Sequence, residues 1–167
     1  VPATLTGSEG GGGAVAPQAG KLIKPTVLEL GGSDAFVVMP SADLEAAVDA
    51  ATKSRLLNNG QSCLNAKRFI VHRVVYDAFE RGIVERFSKA RVGDPMDPGT
   101  DVGPLALESV RADVVDQVRR TVEKGARLLV GGDSMPGAGW WFRPGVLAGI
   151  PRGSPAWSDE IFGPVAS

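Results

Sequence analysis

The chain is poor in the residues that build metal sites, disulfides and membrane spans. Its 167 residues include one cysteine and one histidine, and 18 lysines and arginines stand against 19 acidic residues. A single cysteine cannot close an intrachain disulfide, which favours a reducing, cytoplasmic setting. One His and one Cys without ligand spacing argue against zinc, and no metal site is expected. A formal net charge of −1 offers no electrostatic attraction for nucleic acid or an anionic membrane, so neither is expected as a partner. No apolar run approaches the ~20 residues of a membrane span. The N-terminal VPATLTGSEG lacks the basic start and apolar stretch of a signal peptide. No G-x-G-x-x-G occurs, so the usual dinucleotide fingerprint is missing.

What is present reads as one globular α/β chain. Hydrophobic residues make up 43% and charged residues 22%, the ordinary globular range. Glycine (22) and proline (12) together reach about a fifth of the chain, below the roughly 25–30% at which disorder becomes the better description. ATLTGS predicts a strand end and a turn, with Ser8 as a helix cap. EGGGGAVAPQAG then predicts a poor helix, since each interior Gly costs up to ~1 kcal/mol and an interior Pro about 3. TVLELGG (26–32) and DAFVVM (34–39) read as strands. A helix is expected over roughly 42–58, with Leu44, Ala47, Val48, Ala51 and Leu56 as its apolar stripe and Gly60 as its stop. RFIVHR (68–73) reads as a strand in which His72 alternates with apolar residues and is structural. Tyr76, Phe79, Ile83 and Phe87 mark a second amphipathic helix. The Gly/Pro-rich stretch 93–104 is a loop, and Val110, Val114, Val118 and Val122 mark a third helix ending at Gly125. RLLVGG, FRPGVLAGI and EIFGPVAS read as extended segments. Strands alternating with helices predict a largely parallel sheet.

Two residues carry chemistry. Cys63, the only thiol, lies in NNGQSCLNAKR, a polar turn rather than the apolar surroundings of an inert buried cysteine. Backbone N–H groups of such a turn, with Asn and Gln side chains nearby, can stabilise a thiolate and a developing oxyanion. The turn by itself fits a nucleophile and an inert surface thiol equally well. Glu29 sits between Leu28 and Leu30, where alternation predicts an apolar, desolvated strand position suited to a general base; a solvent-facing strand glutamate is the plainer reading.

Together, LELGG (28–32 with its glutamate) and GQSC (60–63) resemble the two active-site signatures of the aldehyde dehydrogenase superfamily, at matching separation. TLTGS (4–8), GDPMDPGTDVGPL (93–105) and EIFGPV (160–165) agree in order, so the resemblance runs over the whole chain. In detail it is most similar to bacterial members that oxidise succinate semialdehyde.

That resemblance implies a partial aldehyde dehydrogenase-like α/β fold: residues 1–30 as the end of a dinucleotide-binding domain and 31–167 as the first part of the thiol-bearing catalytic domain. It implies NAD or NADP as cofactor, a small-molecule aldehyde as substrate, and a full-length parent that is a homo-oligomer. Cys63 would attack the aldehyde carbon and its N–H would contribute to the oxyanion hole. Glu29 would activate the water that hydrolyses the resulting thioester. Gly7 and Ser8 would meet the cofactor's pyrophosphate, Leu30 its nicotinamide, and Glu160 and Phe162 the nicotinamide ribose and ring. Some members that use succinate semialdehyde carry an arginine just before the catalytic turn; here Leu57 stands nearest that place and Arg55 two positions earlier. The chain is expected to be an internal section of a longer enzyme and inactive by itself. The other readings are a non-catalytic truncated product acting as an interaction partner and a cofactor-independent thiol hydrolase.

Overall fold

The first strand, β1 (Ala3–Thr6), and the second, β2 (Thr26–Glu29), pair in parallel with Leu5 opposite Leu28 and Thr6 opposite Glu29. Parallel neighbours need a crossover, and helix α1 (Glu9–Lys21) provides it. The expectation of a poor helix here is corrected: α1 runs unbroken through Gly10–Gly13 and Pro17. Ser8 caps it by accepting from the Gly11 N–H at 3.2 Å, and Glu9 and Lys21 complement the two ends of its dipole. Packing supplies what propensity withholds. Gly12 is buried, and a Cβ there would lie 2.9 Å from a Leu30 methyl, so the glycine admits the close approach of helix to strand end. The helix closes with Lys24 N–H on the Ala19 carbonyl (3.0 Å) and Ile23 in the left-handed region at φ 50°.

The computed structural model describes all of Val1–Ser167, which divide into two compact units, Val1–Gly32 and Ser33–Ser167. In the second unit, β3 (Ala35–Val38) pairs in parallel with β4 (Arg68–Val71). Between them lie α2 (Leu44–Leu56), capped by Asp43, and a tight turn over Leu57–Gly60. Helix α3 (Tyr76–Lys89), helix α4 (Glu108–Glu123) and β5 (Arg127–Val130) follow, then β6 (Gly145–Ala148), the single-turn α5 (Pro155–Ser158) and β7 (Val165–Ala166). β6 pairs in parallel with β7 but antiparallel with β5. No helix intervenes between β5 and β6, so the chain simply turns back. Hydrogen bonds from Phe69 N–H to the Ser167 carbonyl (2.7 Å) and from Ser167 N–H to the Lys67 carbonyl (3.2 Å) lay the end of β7 against β4. The order across the unit is therefore β3, β4, β7, β6, β5.

This sheet is covered on both faces. Val146 and Ala166 join Val48, Ala51, Phe79, Ile83 and Phe87 on the α2–α3 side. Their chain neighbours Leu147 and Val165 join Val114, Val118 and Ile161 on the α4–α5 side. Period-2 alternation thus feeds two cores from one strand. The apolar stripes of α2, α3 and α4 fall where their spacing places them, apart from Val122, which is exposed in the last turn of α4. His72 is exposed just past β4, where its Nδ1 accepts from Val74 N–H at 3.2 Å. Of EIFGPVAS, read as extended, only Val165–Ala166 forms a strand, and α5 lies between the two extended readings, where no element was expected. No helix is long and apolar enough to cross a membrane.

The glycines of α1 separate by environment. Gly13→Ala, with nothing within 4 Å of the added carbon, should stabilise the first unit by about 0.5–1 kcal/mol. Gly12→Ala should destabilise it, because the added carbon meets Leu30. Equal shifts of the unfolding midpoint for the two variants would contradict this account of the helix.

Candidate active site

The residues singled out from sequence fall into two groups, one in each unit. In Val1–Gly32 they gather at the C-terminal ends of the two parallel strands, the end at which open α/β sheets bind ligands. Glu29 closes β2, and its carbonyl accepts from the Gly7 N–H at 3.0 Å. Ser8 follows as the helix cap, and Leu30 lies against Gly12. The backbone N–H groups of Glu9 and Gly10 donate to no acceptor in the chain. The expected desolvation of Glu29 is corrected: the residue is exposed, as are Thr26 and Val27, and only Leu28 of the strand is half-buried. A two-stranded ladder has too little cover to dry a side chain on its open face.

In Ser33–Ser167 the thiol turn is built from left-handed backbone. Asn58 (φ 51°), Asn59 (φ 56°) and Gly60 (φ 73°) are consecutive in that region, which Asn tolerates and Gly adopts freely. Gly60 is also steric: a Cβ there would lie 2.3 Å from the Gly163 carbonyl carbon. Of the amide side chains expected to serve the thiol, Asn58 and Asn59 donate elsewhere, and Gln61 is committed through its oxygen alone. Asn58 Nδ2 donates to the Gln61 carbonyl (2.9 Å), and Asn59 bonds Gly103 N–H (2.7 Å) and the Pro104 carbonyl (3.1 Å). Gln61 Oε1 accepts from Ala106 N–H at 3.0 Å. Asn59 and Gln61 clamp the turn to the 93–107 loop.

Two further residues shape the turn, and neither was singled out from sequence. Asn65, fully buried, accepts from Ser62 N–H (2.8 Å) and donates to the carbonyls of Ser54 and Leu57. Lys67, 1% exposed, donates through Nζ to the carbonyls of Ser62 (2.9 Å) and Cys63 (3.1 Å). The same ammonium lies 3.0 Å from Glu160 Oε1, an ion contact rather than an aligned hydrogen bond. Lys67 thereby brings Cys63 and Glu160 to one charge. Cys63 is exposed, and its N–H donates to no acceptor in the chain. Phe162 is partly exposed and, with Glu160, lines a cavity of about 290 Å³ against α4 residues that include Asp113, Gln117 and Arg120.

Arg55 is not at the surface. Wholly buried, it donates from Nε to the Val165 carbonyl (2.6 Å) and from Nη2 to the carbonyls of Ile161 (2.7 Å) and Gly163. Burial pulls its guanidinium down to about 10, with the attraction of Glu160 working the other way. It remains charged at neutral pH and cannot hold a substrate carboxylate. Leu57 is exposed and apolar. No cluster of His, Cys, Asp and Glu side chains is placed to hold a metal ion.

The chain belongs to the aldehyde dehydrogenase family, whose pattern matches residues 3–167. It is 56% identical to a succinate-semialdehyde dehydrogenase [NADP(+)] of Mycolicibacterium paratuberculosis, over 99% of this chain and 35% of that protein. The same enzyme of Mycobacterium leprae is also 56% identical, over 99% of this chain and 36% of its own length. Among solved structures, the succinic semialdehyde dehydrogenase of Streptococcus pyogenes in complex with NADP+ superposes with a TM-score of 0.95 at 43% identity, covering 99% of this chain and 36% of that one. Lactaldehyde dehydrogenase from Escherichia coli gives 0.94 at 35% identity, over 98% of this chain and 34% of that one. The chain spans about a third of the length of the curated relatives it matches.

Because Arg55 satisfies three buried carbonyls, Arg55→Met should cost about 3–5 kcal/mol of stability in the second unit. Arg55→Lys should recover only part of it, since an ammonium cannot reproduce the planar fork. Chemical denaturation of the three proteins measures this, and a loss below about 1 kcal/mol for Arg55→Met would contradict it.

Proposed function

We propose that this chain is the thiol-bearing third of an NADP-dependent aldehyde dehydrogenase, acting on succinate semialdehyde. The observation that carries the reading is the Cys63 turn: an exposed thiol and an uncommitted backbone N–H, held rigid by buried polar side chains. The names of the relatives above support NADP and the substrate. The enzyme assignment is favoured over a cofactor-independent thiol hydrolase because the chain carries nucleotide-compatible features as well as a thiol. On this reading Val1–Gly32 ends the nucleotide-binding domain and Ser33–Ser167 begins the catalytic one.

The residues present fit a nucleotide. The free N–H groups of Glu9 and Gly10, at the N-terminus of a crossover helix beside the bare backbone of Gly7 and Gly10, form a donor set of the kind that binds pyrophosphate. Ser8 orders that turn, Leu30 borders it, and Glu160 and Phe162 would hold the nicotinamide ribose and ring. NADP, when bound, supplies the acceptor for the hydride that leaves the substrate carbon.

The chain's own residues do the rest. Cys63 Sγ, as thiolate, bonds to the aldehyde carbon, and the carbonyl oxygen becomes an oxyanion near the Cys63 N–H, a donor already in place and needing no reorganisation. Once the carbon is oxidised to a thioester, Glu29 takes a proton from water. The hydroxide attacks the acyl carbon, and the C–S bond breaks to give carboxylic acid and free thiolate.

The test is made in an enzyme of the relatives' full length. Cys63→Ser should abolish turnover while NADP still binds. Glu29→Gln should keep a burst of reduced nucleotide, one per site, followed by turnover slowed at least about 10²-fold. Turnover retained in the cysteine variant overturns the assignment, and loss of the burst in the glutamate variant moves Glu29 from deacylation to thiol activation.

A further inference from the structure

Lys67 is the one charged group in the second unit that touches both halves of the proposed site. Its stem is sequestered and its ammonium is almost wholly out of water, at 1% exposure. An ammonium has three donors and no acceptor. Here its three neighbours are the Ser62 carbonyl at 2.9 Å, the Cys63 carbonyl at 3.1 Å and Glu160 Oε1 at 3.0 Å. A buried ammonium of this kind persists only when it is paired and its donors are used. Each neighbour is therefore restrained by the same atom.

The partners differ in chemistry. Two are backbone carbonyls of the turn that presents the thiol, and the third is the carboxylate at the head of the EIFGP segment. Glu160 is otherwise held only through its backbone, where its carbonyl accepts from Gln117 Nε2 at 2.9 Å. Lys67 is the only cation in ion-pair contact with its carboxylate, which Arg55 attracts from farther away. Arg55 fixes the carbonyls of the residues that follow but makes no hydrogen bond to that carboxylate. The direct contacts to the main chain of the segment and to the glutamate's carboxylate thus come from different cations.

We propose that Lys67 is a positioning residue that aims the Glu160 carboxylate and holds the Cys63 turn through one buried ammonium, so that cofactor binding and thiol presentation are coupled. This rests on the reading of Glu160 as a cofactor-holding residue. Lys67 touches no reacting atom in this scheme. It acts through Glu160 on nucleotide affinity and through the Ser62 and Cys63 carbonyls on thiol access. Residues that orient a metal-holding side chain are worth about 10–100-fold in affinity, and a loss of that order is expected where Lys67 orients Glu160.

The experiment uses the full-length enzyme with two readouts: NADP affinity by titration and the iodoacetamide alkylation rate of Cys63. Lys67→Met should weaken NADP binding by about tenfold or more and change the alkylation rate, since both kinds of contact are lost. Lys67→Gln keeps an amide donor for the turn carbonyls but no charge for Glu160. It should restore the alkylation rate toward that of the unchanged protein and leave affinity weak, a split that general loss of folding does not produce. Glu160→Gln should weaken binding by itself, and adding Lys67→Met to it should weaken binding no further. Multiplicative losses in the double variant overturn the coupling, as does unchanged affinity in both lysine variants. Unchanged affinity in Glu160→Gln alone removes the cofactor role of Glu160 and the coupling with it, while the alkylation rates still judge whether Lys67 holds the turn. If Lys67→Met fails to fold, the Lys67→Gln split decides.

Discussion

The second unit is organised around a guanidinium that has no contact with water. Arg55, in the last turn of α2, reaches across to the carbonyls of Ile161, Gly163 and Val165. Removing such a charge from water costs several kcal/mol, and charge-assisted bonds to three buried carbonyls offset it. What is gained is placement. Segment 161–165 leads into the sheet at β7, and Gly163 lies where Gly60 of the thiol turn has no room for a side chain. The helix that precedes the turn and the segment that packs under it are therefore one construction.

On that platform the turn is rigid for reasons that have little to do with its own propensity. Its three left-handed residues are held by Asn59 on the 93–107 loop, by Asn65 on the carbonyls of Ser54 and Leu57, and by Lys67 on Ser62 and Cys63. Polar side chains are consumed in fixing the backbone, while the thiol and its N–H stay uncommitted. Donors fixed before the reaction stabilise developing charge without reorganising. In the βαβ unit the uncommitted donors are likewise backbone, the amides of Glu9 and Gly10 at the start of a glycine-rich helix.

Much of this was legible in one dimension because periodicity reports burial. The stripes on α2, α3 and α4 follow 3.6-residue spacing, and β3, β4, β5 and β6 fall where apolar runs are bounded by Gly and Pro. Propensity misled where a tertiary contact replaced it: α1 stands in spite of four glycines and Pro17 because Gly12 nests against Leu30. Alternation misled at Glu29 because it assumes a sheet covered on both faces, and the ladder holding Glu29 has only two strands.

The sequence by itself determined the family and most of the order of elements, because these are carried by local motifs and by repeating apolar spacing. Only the tertiary structure decided which charged residues lie inside. Arg55 and Lys67 read as surface cations in any window of sequence, and so does Asn65 as a turn residue. Each is buried because its partners come from distant segments: the carbonyls of 161–165 for Arg55, and Glu160 for Lys67. A cation's burial depends on acceptors that only folding brings within reach, and no local pattern encodes them.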